Sequence, residues 1–402
     1  MKKQVFIFMV FLLIESSVLP GVWSTETKSL RMPLTFSLEN EAQHALKIGI
    51  QWLEAQQQEE GCWSNPMFPA ITALAVSAIL NSPDVVQSAT MPESAERGLK
   101  FILDSMQPDG CIYRNIEGPK GGGMPNYNTS LCLMALADAR DPKYDLIIDR
   151  ARTCLIGKQH LGQDVFGGGM GYDAEKNRAY ADLSNTVLAL EALWRTQPPA
   201  DSLAAGGAEL DWEAAIGFVS RCQHLRETNN MHWVSDSMEQ RGGFIYNPEE
   251  TKVVPESGDE NPGVMHSYGS MTYAGLLSFI YAKVNREDIR VKAAYDWITR
   301  NWNLDENPRM GAQGLYYYYL TLAKALNAYG QETISLPGGK KLEWRPALIK
   351  KLVSLQKIDP ETGFGYWQNE NNRWWENDPN LVTAYTLLAL EVAMHGVTPS
   401  AP

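Results

Sequence analysis

The feature that most limits what this chain can fold into is an alternation of two kinds of helix, repeated six times. In each copy an amphipathic segment leads through a turn rich in Gly and aromatic residues into a segment that is apolar on every side. The first copy runs from Glu39 to Gln57, with Ala42, Leu46, Gly49, Ile50 and Leu53 at helical spacing on one face. It then passes through Gly61-Cys62-Trp63 to an apolar helix opening at Pro69. The later copies pair Ala95–Gln107 with Tyr127–Met134, Asp145–Gln159 with Asp182–Leu193, Trp212–Cys222 with Tyr268–Leu277, Ile289–Trp302 with Gln313–Leu320, and Arg345–Gln356 with Leu381–Leu387. A period of roughly 50 to 65 residues marks a repeat architecture. A helix that is apolar all round must be covered on every flank, which a closed ring of six inner and six outer helices achieves. An open solenoid would need polar end repeats, yet the first and sixth copies are as apolar as the middle ones. The expectation is an all-α (α/α)6 toroid, one domain over 39–396, with a polar leader at 25–38 and a tail at 397–402.

The first residues carry a different signal. Lys2 and Lys3 precede a short apolar run from Val5 to Ile14, and small residues suited to cleavage follow near Ser24. Residues 1–24 read as an export signal, with a secreted or periplasmic destination. The apolar run is shorter than a bilayer requires and no second one follows, so no integral membrane span is expected. The formal charge is −12, and loss of Lys2, Lys3 and Glu15 with the signal, a net of +1, takes it to −13. That charge disfavours nucleic acid and anionic membrane surfaces as partners. The five cysteines are odd in number and lack metal-site spacing, so no metal or other cofactor is implied. Cys62 and Cys111 each follow a turn glycine and are candidates to pair. Cys132 and Cys154 sit in helical patterns and read as small buried residues, and the fifth cysteine is Cys222.

Polar groups gather where the apolar helices begin, most densely in Gly167–Thr186, which ends Asp182-Leu183-Ser184-Asn185-Thr186. Stacking the inner helices by their apolar tails sets this stretch beside Tyr127 and Asn128, and beside Tyr268 and Ser270. Six such entrances would ring one end of the barrel. The candidate site therefore has Asp182 as acid or base, oriented by Ser184 and Asn185. Tyr127, Asn128, Tyr172 and Thr186 are expected to line the cavity, together with His266, Tyr268, Ser270, Gln313, Tyr316, Tyr317, Trp375 and Glu376. The competing reading is that Asp, Ser and Thr at these entrances, Thr129, Thr186, Thr272 and Thr386 among them, only cap helices. Of the four tyrosines from Tyr316 to Tyr319, one or two should face inward, since a helix cannot turn all four the same way. Trp374 and Trp375 beside Glu376 would also suit a sugar platform, with Asp182 and Glu376 as an acid-base pair. The acidic loop from Asn247 to Val264 is either a lid or a solvated insertion, and the two Asp-Glu-Asn-Pro runs read as turns.

Gln57-x-x-x-Gly61-x-Trp63 resembles the QW motif of squalene-hopene cyclases and related prenyltransferase/squalene oxidase repeat proteins, and Gln107 and Gln356 with their downstream glycines resemble degenerate copies. Asp182–Thr186 and the runs around Tyr273, Tyr317 and Thr383 are also similar to a group of secreted bacterial proteins built from these repeats. The resemblance implies a terpenoid cyclase-like toroid and a small apolar or isoprenoid ligand. Class II terpene cyclases carry Asp-x-Asp-Asp-Thr at this helix entrance, the middle Asp protonating an alkene. Here Asp182 matches the first Asp, while Ser184 and Asn185 replace the next two, and a hydroxyl is too weak an acid for that step. Protein prenyltransferases hold zinc with Asp-x-Cys and a later His. Asp182-x-Ser184 keeps the carboxylate and lacks the thiolate, with His266 as the imidazole. Two other readings remain open: a glycan-active hydrolase or lyase on the same kind of barrel, and a scaffold that binds a protein partner.

Overall fold

The computed structural model describes residues 33–88, 90–116, 122–172, 180–198, 209–254 and 265–396. The expected signal segment, the tail and the last ten residues of the acidic loop, 255–264, lie outside the described residues. Twelve main helices form the repeat pairs, odd numbers outside and even numbers inside. They are α1 (Phe36–Ala55) and α2 (Pro69–Asn81), α3 (Glu93–Leu103) and α4 (Pro125–Asp138), α5 (Asp145–Ile156) and α6 (Leu183–Arg195). They continue with α7 (Trp212–Arg221) and α8 (Gly269–Tyr281), α9 (Ile289–Arg300) and α10 (Leu315–Tyr329), α11 (Trp344–Ser354) and α12 (Pro379–His395). Helix α1 begins inside the segment read as a leader, because the Thr35 hydroxyl caps it by accepting from the Leu38 amide.

Each inner helix packs against the next, and α12 packs back against α2, so the ring is closed. Every residue of α2 and of α8 is buried. By contrast α3 buries only Ala95, Gly98, Leu99, Phe101 and Ile102, one stripe of an amphipathic helix facing the ring. None of the described helices is long and apolar enough to cross a membrane.

Three devices recur and explain the repeated motif. A threonine in the first turn of the inner helix accepts the backbone N–H of the preceding turn: Trp63 to Thr72, Ile112 to Thr129, Met170 to Thr186, Phe244 to Thr272 and Trp367 to Thr383, at 2.9–3.2 Å. These threonines staple turn to helix and do not cap it. In the sixth repeat the residue is Thr383, not Thr386, whose hydroxyl donates within its own helix to the Val382 carbonyl. Second, the glutamine that ends an outer helix bridges two carbonyls. Gln57 Nε2 donates to Gly61 in its own turn and to Ser94 in the next outer helix; Gln159 and Gln223 repeat this with Gly168 and Asp211, and with Gly242 and Arg290. Third, the turn glycine has positive φ and lies against the next outer helix. A Cβ on Gly61 or Gly110 would sit 2.7 Å from the carbonyl oxygen of Arg97 or Arg150, so only glycine serves there.

This register corrects the cysteine reading. The disulfide joins Cys111 to Cys154, and Cys62, Cys132 and Cys222 are free and buried. The residue after each turn glycine faces the residue four positions beyond the carbonyl that the glycine touches. Cys111 thereby meets Cys154 on α5, while the same count from Arg97 assigns Phe101, which cannot pair, to Cys62. The same rule puts Gly169 against Phe218 and Gly243 against Trp297.

Candidate functional site

The N-terminal ends of all six inner helices surround a cavity of about 370 Å³. Its wall uses a common helical face, one or two residues before the stapling threonine and two after it: Ile71, Tyr127, Ser184 with Leu188, Ser270 with Met271, Tyr317, and Leu381 with Tyr385. Turns and loops add Phe68, Met124, Tyr172, Tyr246, Tyr268 and Gly314, and Trp374-Trp375-Glu376 closes one side. Both tryptophans adopt left-handed backbone conformations, φ 56° and 62°, and both are partly exposed. The Trp375 ring lies 4.4 Å from that of Phe68, and the Arg373 guanidinium stacks 4.4 Å over Trp374.

Asp182 lies behind this wall, fully buried, as the N-cap of α6. Its Oδ1 accepts from the Asn185 backbone N–H at 2.9 Å and from Asn185 Nδ2 at 3.1 Å, and its Oδ2 accepts from Asn185 Nδ2 at 2.9 Å. Burial pushes its carboxyl up to about 6, against the opposing pull of the Asn185 donors and of the Tyr246 and Ser184 hydroxyls. Those two hydroxyls belong to the cavity wall. The carboxyl therefore communicates with the cavity through Ser184 and Tyr246 and does not itself reach it.

Glu376 is on the wall but fully engaged. Oε1 accepts the Tyr316 and Tyr317 amides at 3.0 and 2.8 Å, capping α10 from the neighbouring repeat, and Oε2 accepts Asn369 Nδ2 at 2.7 Å. Asn307, in a turn-forming Asp-Glu-Asn-Pro run, caps α8 the same way, Oδ1 accepting the Ser270 amide at 3.0 Å.

Of the residues expected here, Tyr127, Tyr172, Ser184, Tyr268, Ser270, Tyr317, Trp375 and Glu376 are brought together. Asp182, Asn185, Thr186, Asn128, His266, Gln313 and Tyr316 are not on the wall, each for a local reason. Asn128 Oδ1 caps α2 by accepting the Ala70 amide at 2.9 Å, and Thr186 is a staple. His266 Nδ1 faces Gln240 and Arg309, and Gln313 Oε1 accepts from Arg373. Tyr316 packs edge-on against Tyr319, while Tyr318 and Tyr319 donate outward to the Asn303 and Leu304 carbonyls at 2.6 Å. Only Tyr317 of the four lines the cavity. Tyr246, Tyr385, Phe68, Met124 and Met271 were missed, and Trp374 was read only as part of a sugar platform. The helix register gives Met271 and Tyr385, but the others come from turns without periodicity.

No family model matches the chain, and no curated protein matches it. Solved structures do resemble it. An unsaturated glucuronyl hydrolase specific for heparin superposes with TM-score 0.55 at 11% identity, over 90% of this chain and 97% of that one. The type II terpene cyclase MstE from Scytonema, in complex with its substrate geranylgeranyl dihydroxybenzoate, gives 0.51 at 12%, over 90% and 99%. Candida albicans protein geranylgeranyltransferase-I complexed with GGPP gives 0.51 at 13%, over 88% and 92%. The fold is thus a terpene cyclase-like (α/α) toroid, shared also with a glycan hydrolase.

Proposed function

We propose that this chain is an exported binding protein for an uncharged, isoprenoid-like ligand, which it holds at the mouth of its ring without protonating an alkene. The observation that carries this reading is the composition of the wall. Nine of its residues are aromatic, with Ile71, Leu188, Leu381, Met124 and Met271 among the rest, and no Lys or Arg lines it among the described residues. Aromatic faces and a flexible thioether suit a polyene chain. A diphosphate head group would lack a countercharge. The family's acid chemistry is not supported either: the hydroxyl of Ser184 stands at the wall where that pattern has its middle Asp, Asp182 is a weak acid held one layer back, and Glu376, the carboxyl on the wall, is engaged as the cap of α10. Export is supported by the disulfide, which suits an oxidising compartment.

The glycan reading has little support beyond the fold and the exposed tryptophans. An acid-base pair needs two carboxyls facing the substrate, and both candidates are occupied as helix caps.

The test is extraction and mass spectrometry of protein purified without detergent, followed by titration with squalene, geranylgeraniol and geranylgeranyl diphosphate, read through tryptophan fluorescence. Saturable binding of the neutral lipids, weakened in Tyr317→Ala and absent for the diphosphate, is expected. Empty extracts together with no saturable binding of either neutral lipid would sink the proposal.

A further inference from the structure

At the opposite pole of the ring the inner helices end around a second cavity, of about 50 Å³, which shares no lining residue with the first. Asn81, Asp138, Arg195 and Tyr281 are the last residues of α2, α4, α6 and α8, and all four line it, joined by Glu191, Lys324 and Glu391. Two of the three acids are paired. Asp138 accepts from Arg195, and Glu191 takes Lys324 Nζ at 2.8 and 3.0 Å.

Glu391 is different. The residue is 1% exposed and neither carboxylate oxygen has a hydrogen-bond partner. Asp138 Oδ2 and Asn81 Oδ1 are unpartnered acceptors on the same wall, against one unpartnered donor there, Arg195 Nε. With all groups ionised, three acids against two bases leave one negative charge in a small cavity. The converging helix C-termini add partial negative charge of their own. An unmatched carboxylate in such a place is costly unless a counterion or a proton joins it.

We propose that this cavity binds one hydrated monovalent cation, an alkali ion or ammonium, anchored by Glu391 and further held by Asp138 Oδ2 and Asn81 Oδ1. Valence follows from the charge tally, because a divalent ion would overcompensate the single negative charge. Hydration follows from space and spacing. At about 10–15 Å³ per water, the cavity takes an ion with a few waters. The carboxylates are not drawn into a compact metal cage: among the described residues, three His, Cys, Asp or Glu ligand atoms come within 4.8 Å only at Asp109, Cys111 and Cys154, where the two cysteines are bonded to each other. The rival occupant is a proton, since burial and the neighbouring Asp138 charge push the Glu391 carboxyl well above its ordinary value.

The experiment uses the full chain, exchanged into a buffer whose only cation is choline. It is then titrated at constant ionic strength with potassium, sodium or ammonium chloride while thermal unfolding is followed. A saturable rise of a few degrees in Tm with at least one small cation is expected, because a ligand of the native state alone stabilises it. Glu391→Gln should remove the saturable part, and Asn81→Leu should move its midpoint to higher concentration. Should Glu391→Gln fail to fold, sodium-23 line broadening by the wild-type chain, reversed by potassium, reads the same site. A Tm that rises no more with the small cations than with added choline would overturn the proposal in favour of a protonated Glu391. A saturable response unchanged in Glu391→Gln would overturn it by placing the ion elsewhere.

Discussion

The two poles of one ring treat carboxyl groups in opposite ways. At the N-terminal pole Asp182 and Glu376 are consumed by helix amides, with Asn128 and Asn307 doing the same work, and what remains facing the cavity is largely aromatic and aliphatic. At the C-terminal pole no amides are left to cap, so Asp138 and Glu191 turn to cations and Glu391 is left without a protein partner. The helix dipole explains the contrast: free N–H groups at one end neutralise acids, and free carbonyls at the other attract bases. One set of parallel inner helices thus yields an apolar mouth and a charged base.

The contrast is broken most severely at the charged pole. Arg195→Met strands Asp138 as a buried unpaired anion, and a loss of about 3–5 kcal/mol in urea unfolding is expected. A loss below about 1 kcal/mol would mean that Asp138 escapes to water. The disulfide belongs to neither pole but ties the second repeat to the third. Cys111→Ser with Cys154→Ser should cost about 2–4 kcal/mol, while Cys62→Ser should leave the thiol count of the unreduced chain lower by one and the disulfide intact.

At the aromatic pole the test is pH. Asp182 has its folded value raised to about 6 from 3.8, so in that window the native state holds more protons than the unfolded chain. Stability from this group is fully present below about pH 4 and lost as pH rises through about 6, by about 3 kcal/mol for a shift near two units. Asp182→Asn should flatten that fall in chemical denaturation between pH 4 and 7. An unchanged slope would show that Asp182 is already ionised in the fold.

How much of this was legible in the sequence depended on repetition. The ring, its helix pairs and wall residues such as Tyr127, Ser184 and Tyr317 follow from a pattern written six times. Tyr246 and Phe68 come from turns, where position is set by the neighbouring repeat. Cys154 looked like a small core residue because its partner is chosen by the register between repeats, not by distance along the chain. The charged pole was overlooked for a similar reason: Lys324 and Glu391 are lone charges in apolar helices, and only closure of the ring brings them to Glu191 and Arg195. Asp182 was found but its place was misread, since capping draws a side chain back along its own helix and away from the cavity.

The smallest effect separates capping from catalysis within the aromatic pole. Tyr246→Phe removes one hydroxyl that helps hold the ionised form of Asp182 and leaves its Asn185 donors in place. The carboxyl should move further above about 6, so the pH window of lost stability widens upward. At pH 7 the loss should be about 1.5–3 kcal/mol, the range for a hydrogen bond to a charged group, and at pH 4, where Asp182 is protonated in both variants, it should shrink. Equal losses at the two pH values would mean that the hydroxyl serves packing alone, and the path from Asp182 to the cavity would then rest on Ser184.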